Sequence, residues 1–85
     1  MIFELTFSNQ AKDFLKKCDN SLSSRIIGKV EELTTNPVPH NSVRVVGEDK
    51  TFRIRIGDYR VLYEINWAQK YLLIAKIEKR AKVYN

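Results

Sequence analysis

Arg55 and Arg60 flank the tight segment Ile56-Gly57-Asp58-Tyr59. Guanidinium groups can hold phosphate oxygens through paired, charge-assisted hydrogen bonds, and they need no cofactor to do it. The surrounding residues say how the two arginines stand. Thr51 to Ile56 alternates polar and apolar with period two, the mark of a half-buried strand. Tyr59 to Ile65 is rich in β-formers, and Gly57-Asp58 between them is a two-residue hairpin loop signal. That register pairs Ile56 with Tyr59 and sets Arg55 directly opposite Arg60. Like charges in that position destabilise a sheet by roughly a few tenths of a kcal/mol when exposed. Folding has no use for the pair, whereas a bound polyanion would explain it.

The same register sorts the hairpin into two faces. Phe52, Ile54, Ile56, Tyr59, Val61, Tyr63 and Ile65 fall on the core face, and Arg53, Arg55, Arg60, Leu62 and Glu64 on the open one. With Arg80, Tyr84 and several lysines, this set suits metal-free phosphodiester chemistry. If the nucleophile is an RNA 2′-hydroxyl, the protein must place it in line with the scissile bond. It must also stabilise charge developing on the phosphate and move protons. A tyrosine starts near pKa 10, about three units too high for a base at neutral pH, and surrounding arginines would lower it. Arg44, Lys50, Lys79 and Lys82 complete the candidate RNA contacts.

Other chemistries are excluded cheaply. One histidine and one cysteine cannot make the usual zinc spacings, and no phosphate-cradling glycine motif occurs. Neither metal nor cofactor is expected. His40, between Pro39 and Asn41, reads as an idle loop residue, and Cys18 falls on an apolar helix face as a core residue. A lone cysteine suits a reducing, cytoplasmic setting. No stretch approaches the roughly 18–20 apolar residues of a membrane span, and residues 1–5 lack the features of a signal peptide.

Net charge is +5, and its distribution is lopsided. Residues 1–43 hold five basic and five acidic side chains, whereas residues 44–85 hold ten basic and five acidic ones, including five of the six arginines. A basic half with interleaved tyrosines is the electrostatic footprint of a nucleic-acid partner.

The elements that must position these residues fit one domain of 85 residues. Ile2 to Phe7 reads as a strand, and Ser8 caps a helix whose apolar face is Ala11, Phe14, Leu15 and Cys18. Asp19-Asn20-Ser21 turns the chain into a second helix carrying Leu22, Ile26, Val30 and Leu33, which ends before Pro37. A short strand at 42–46, the arginine hairpin and a last strand at 71–77 follow, with a polar tail from Glu78. Two faces compete for the last strand: Tyr71, Leu73, Ala75 and Ile77, or Leu72, Ile74 and Lys76. The order β-α-α-β-β-β-β predicts an α+β fold, an antiparallel helix hairpin packed on a largely antiparallel sheet.

The run from Thr51 to Tyr63, with its Gly57-Asp58-Tyr59-Arg60-Val61-Leu62-Tyr63 hairpin, resembles the RelE/ParE toxin superfamily. So does the ending Lys79-Arg80-Ala81-Lys82-Val83-Tyr84. The resemblance implies a RelE-like fold and a toxin of a type II toxin–antitoxin system, an endoribonuclease that cleaves mRNA in the ribosomal A site. Its products carry a 2′,3′-cyclic phosphate and a 5′-hydroxyl. By position, Arg53 and Arg55 match two basic residues that hold phosphates and assist proton transfer, and Arg60 matches the arginine on the scissile phosphate. Arg80 matches an arginine of the terminal basic motif, and Tyr84 the tyrosine that orients or activates the 2′-hydroxyl. Glu78 stands where some members carry a further basic residue. The implied partners are a RelB-like antitoxin, the ribosome and mRNA, with the free toxin monomeric. Two alternatives share the fold, a ParE-like inhibitor of DNA gyrase and a non-cleaving RNA-binding relative.

Overall fold

Each helix begins where the sequence supplies a side-chain cap. The computed structural model describes residues 2–79. β1 (Glu4–Phe7) runs into Ser8, whose Oγ accepts the Ala11 amide at 3.1 Å and starts α1 (Asn9–Lys17). Asp19 does the same for α2 (Asn20–Leu33), accepting the Leu22 amide at 2.8 Å. Such caps satisfy amides that a helix start otherwise leaves unpaired. The remaining elements are β2 (Val43–Arg44), β3 (Thr51–Ile56), β4 (Tyr59–Asn66) and β5 (Tyr71–Lys79).

The five strands form one sheet in the order β1-β5-β4-β3-β2. Only β1 and β5 run parallel, because the helix hairpin carries the chain across one face before it re-enters the sheet. Ala11, Ile26, Val30 and Leu33 from the helices meet Phe52, Ile54, Ile56, Val61, Tyr63, Ile65, Leu72, Ile74 and Ile77 from the sheet. Full burial of one such aliphatic side chain contributes about 1.5–3 kcal/mol. Tyr63 is fully buried and donates its hydroxyl to the Pro37 carbonyl at 2.6 Å, tying the loop after α2 to the middle of the sheet. Burial pushes its phenol up to about 12.

The last strand follows neither alternating pattern. Leu72 and Ile74 face the core, and so does Ile77. A bulge resolves the conflict: Tyr63 pairs with Ile74 and Leu62 with Lys76, which leaves Ala75 without a partner on β4. One extra residue shifts the face assignment by one. Side chains from the start of α1 hold the bulged edge. Ser8 Oγ donates to the Ala75 carbonyl at 2.8 Å, while Gln10 donates to the Ile77 carbonyl at 2.8 Å and accepts its amide at 2.9 Å. β5 also runs two residues past Ile77, so Glu78 and Lys79 belong to the sheet rather than to a tail. Cys18 is half-buried at the rim of α1, with its thiol 3.6 Å from the Leu15 carbonyl, and is not a core residue.

Candidate functional site

The hairpin forms in the register that sets arginine against arginine. Gly57 takes φ +58 in the two-residue loop, at the first central position where such loops require glycine. Ile56 pairs with Tyr59 and Arg55 with Arg60. A side chain at Gly57 would also collide with Arg25 from α2, whose Nη2 lies 2.5 Å from where a Cβ would stand. Arg55 folds back to donate from Nε to the Gly57 carbonyl at 3.1 Å. The glycine geometry and the Arg55 hydrogen bond hold the loop, and the strands beneath it share one register.

Across three strands the open face reads as two rows. One row is Arg55, Arg60 and Glu78, and the other is Arg53, Leu62 and Lys76. Arg53 and Arg55 are exposed, and Arg60 is partly so. Together with Asn41 and Val43 they line a hollow of about 460 Å³, within the roughly 300–1,000 Å³ typical of ligand clefts. Glu78 is the one acid in the two rows. Its Oε2 lies 2.5 Å from Arg60 Nε and its Oε1 3.3 Å from Lys76 Nζ. Burial raises its carboxyl, but the hydrogen bonds and charges of Arg60 and Lys76 outweigh that and hold it below the ordinary range.

Not every candidate joins this face. Arg44 pairs with Phe52 and lays its guanidinium 5.7 Å from that ring's centroid, on the helix-bearing side of the sheet. Lys50 is exposed in the turn before β3, where its carbonyl accepts the Ile65 amide. Lys79 pairs with Tyr59 and lines a groove beside Phe14 and Cys18, also on the helix side. Arg80, Lys82 and Tyr84 lie outside the described residues. Lys76 joins the open face: one of the two alternating faces available to β5 put it in the core with Leu72 and Ile74, and the bulge at Ala75 turns it outward while those two stay buried. Tyr59 is half-buried against Phe14, and Trp67 packs edge-on to Phe3, so both serve as anchors.

The sequence and the fold are both similar to those of known proteins. Residues 5–84 match the family described as the ParE toxin of type II toxin–antitoxin systems, parDE. A protein of Methanocaldococcus jannaschii, curated as a candidate toxin RelE1, is 38% identical over 58 residues. That match spans 65% of this chain and 64% of the relative's length. The fold superposes on the RelE–RelB complex of Pyrococcus horikoshii with a TM-score of 0.86 and 26% identity, covering 98% of this chain and 100% of the other. The isolated RelE toxin of E. coli superposes with a TM-score of 0.84 at 16% identity, covering 95% and 87%, and shows the fold alone. The chain belongs to the ParE toxin family of type II toxin–antitoxin systems, within the RelE/ParE superfamily.

Proposed function

We propose that this chain is a ribosome-dependent endoribonuclease of the RelE type, cutting mRNA in the A site by attack of the message's own 2′-hydroxyl. One observation carries the reading: Arg53, Arg55 and Arg60 stand together on the open face of a rigid hairpin, with two of them directly opposed. In the cut, the 2′-oxygen bonds to phosphorus and the bond to the 5′-oxygen breaks. The 2′-proton leaves to a base and the departing 5′-oxygen gains a proton, leaving a 2′,3′-cyclic phosphate and a 5′-hydroxyl. Arg60 is assigned to the phosphate oxygens, where charge grows most in the transition state. A guanidinium offers hydrogen-bond donors and no acceptor, so Arg53 and Arg55 are assigned to holding phosphates rather than to shuttling protons. The proton transfer at the 2′-hydroxyl is assigned to Tyr84, and Arg80 is counted with it among the catalytic residues. In keeping with the complexes formed by the P. horikoshii relative, the partner is a RelB-like antitoxin with an acidic segment for the basic face.

Primer extension on a message held in a programmed ribosome tests the reading. A defined A-site cut ending in a cyclic phosphate is the expected result, and an intact message in the presence of folded protein refutes it. A second reading is gyrase inhibition without cleavage. The match to the ParE pattern favours it, and so does the acid among the arginines. A supercoiling assay decides that alternative.

A further inference from the structure

Glu78 is the feature of the open face that RNA binding does not explain. Its carboxylate bridges two cations, one oxygen toward Arg60 Nε at 2.5 Å and the other toward Lys76 Nζ at 3.3 Å. Two oxygens on one centre, each taking one cation, is also how the non-bridging oxygens of a phosphodiester are held. The neighbouring Arg53 and Arg55 are exposed, and they line a hollow together with Arg60, the strand partner of Glu78. The position is enforced. The Ala75 bulge turns Lys76 and Glu78 outward together, while Gln10 fixes the backbone at Ile77 between them.

We propose that Arg60 and Lys76 form an anion subsite for one backbone phosphate of single-stranded RNA, and that Glu78 fills this subsite in the unliganded chain and must be displaced before RNA occupies it. The proposal rests on the open face being the RNA-binding surface, but not on cleavage. Glu78 thereby sets a threshold. A lone anion gains little by exchanging with a carboxylate already in place, whereas a polyanion that also engages Arg53 and Arg55 gains those contacts on top of a near-even exchange. The empty face is kept at lower charge, and weak anions are rejected. The side-chain exposures of 31% for Arg60 and 26% for Glu78 leave the pair open enough to exchange.

The test measures binding of a 2′-O-methylated single-stranded RNA, which lacks the nucleophile and so reports affinity alone. Glu78→Gln is expected to tighten binding about five-fold, the scale of one ion pair of roughly 1 kcal/mol. Glu64→Gln supplies the control. It removes the same charge from the same face, opposite Leu73 and away from Arg60, and should change binding by less than about two-fold. Arg60→Ala should cost more affinity in the Glu78→Gln background than in the wild type, because only there is Arg60 already free. Equal effects of Glu78→Gln and Glu64→Gln, or weaker binding by Glu78→Gln, would overturn the proposal. Should Glu78→Gln fail to fold, the wild-type chain still decides the matter. The Glu78 carboxyl carbon signal must shift as this RNA is added, and an unmoved signal refutes the displacement. A positive result beside an uncut ribosomal message would keep the subsite and discard the nuclease. The opposite pattern would keep the nuclease and discard the subsite.

Discussion

Arg60 carries the heaviest assignment of any side chain, and its substitution separates catalysis from affinity. Arg60→Ala should slow ribosomal cleavage by about 10²–10³-fold, the usual cost of losing one transition-state charge contact of about 2.7–4 kcal/mol. Affinity for uncleavable RNA should fall far less, because Arg60 already has a partner in Glu78. Equal losses in both assays would reduce Arg60 to a binding residue. Glu78 makes a separate prediction through its own titration. Its carboxyl sits below the ordinary value in the folded chain. The stability it contributes is therefore present above the unfolded value, about 4.3, and is lost as pH falls through the folded value. Denaturant melts of Glu78→Gln should show a loss of about 1 kcal/mol near neutrality that shrinks toward acid. Tyr63 shifts the other way. With its phenol raised to about 12, it contributes stability that is full below the unfolded value and lost as pH rises toward 12. Tyr63→Phe strands the Pro37 carbonyl, should cost about 1–3 kcal/mol, and should flatten that alkaline decline in the same melts.

The elements depend on a few local devices. Gln10 is a helix side chain doing the work of a strand, pairing with both backbone groups of Ile77 where β1 has already ended. Gln10→Ala should therefore speed hydrogen exchange at the Ile77 amide and destabilise the chain by about 1–3 kcal/mol, since both groups lose their partner. Unchanged protection there would mean that the bulge holds itself. These devices also mark what the sequence can tell a reader. The hairpin was legible, down to Arg55 opposite Arg60, because a glycine in a two-residue loop and period-two alternation leave one register. The cap at Ser8 was legible for the same local reason, and so was the Asp19-Asn20-Ser21 turn ahead of α2, within which Asp19 proves to be the cap. β5 was not. Its faces switch at Ala75, and the groups that stabilise the switch are Ser8 and Gln10, which lie 67 residues away from their partners. Hence Lys76 went unnoticed, while Lys79 and Arg44 were credited with a face that the sheet turns away from the arginines.

At the scale of the whole molecule, charge is sorted by layer. The open face of the sheet concentrates arginines, and the apolar core lies between its other face and the helices. Binding to that face is expected to weaken with salt. If Arg53, Arg55 and the joint Arg60–Lys76 subsite each neutralise one phosphate of a single strand, log K should fall against log salt with a slope of about −2. A flat dependence would remove the open face as the RNA surface. An acidic antitoxin segment on the same face should associate faster at low ionic strength.

The strand order has a bearing on biosynthesis. β5, the last strand described, lies between β1 and β4, so the sheet is split in two until residues 71–79 have been made. Long-range pairings of this kind form late, and a chain halted before Tyr71 leaves the edges of β1 and β4 bare. Lys76 and Glu78 reach the arginines only with that final insertion. A nascent chain arrested short of Tyr71 should be readily proteolysed and inert, and resistance to protease should rise abruptly once β5 emerges. The part of the described sheet that completes the open face is therefore the last to be synthesised.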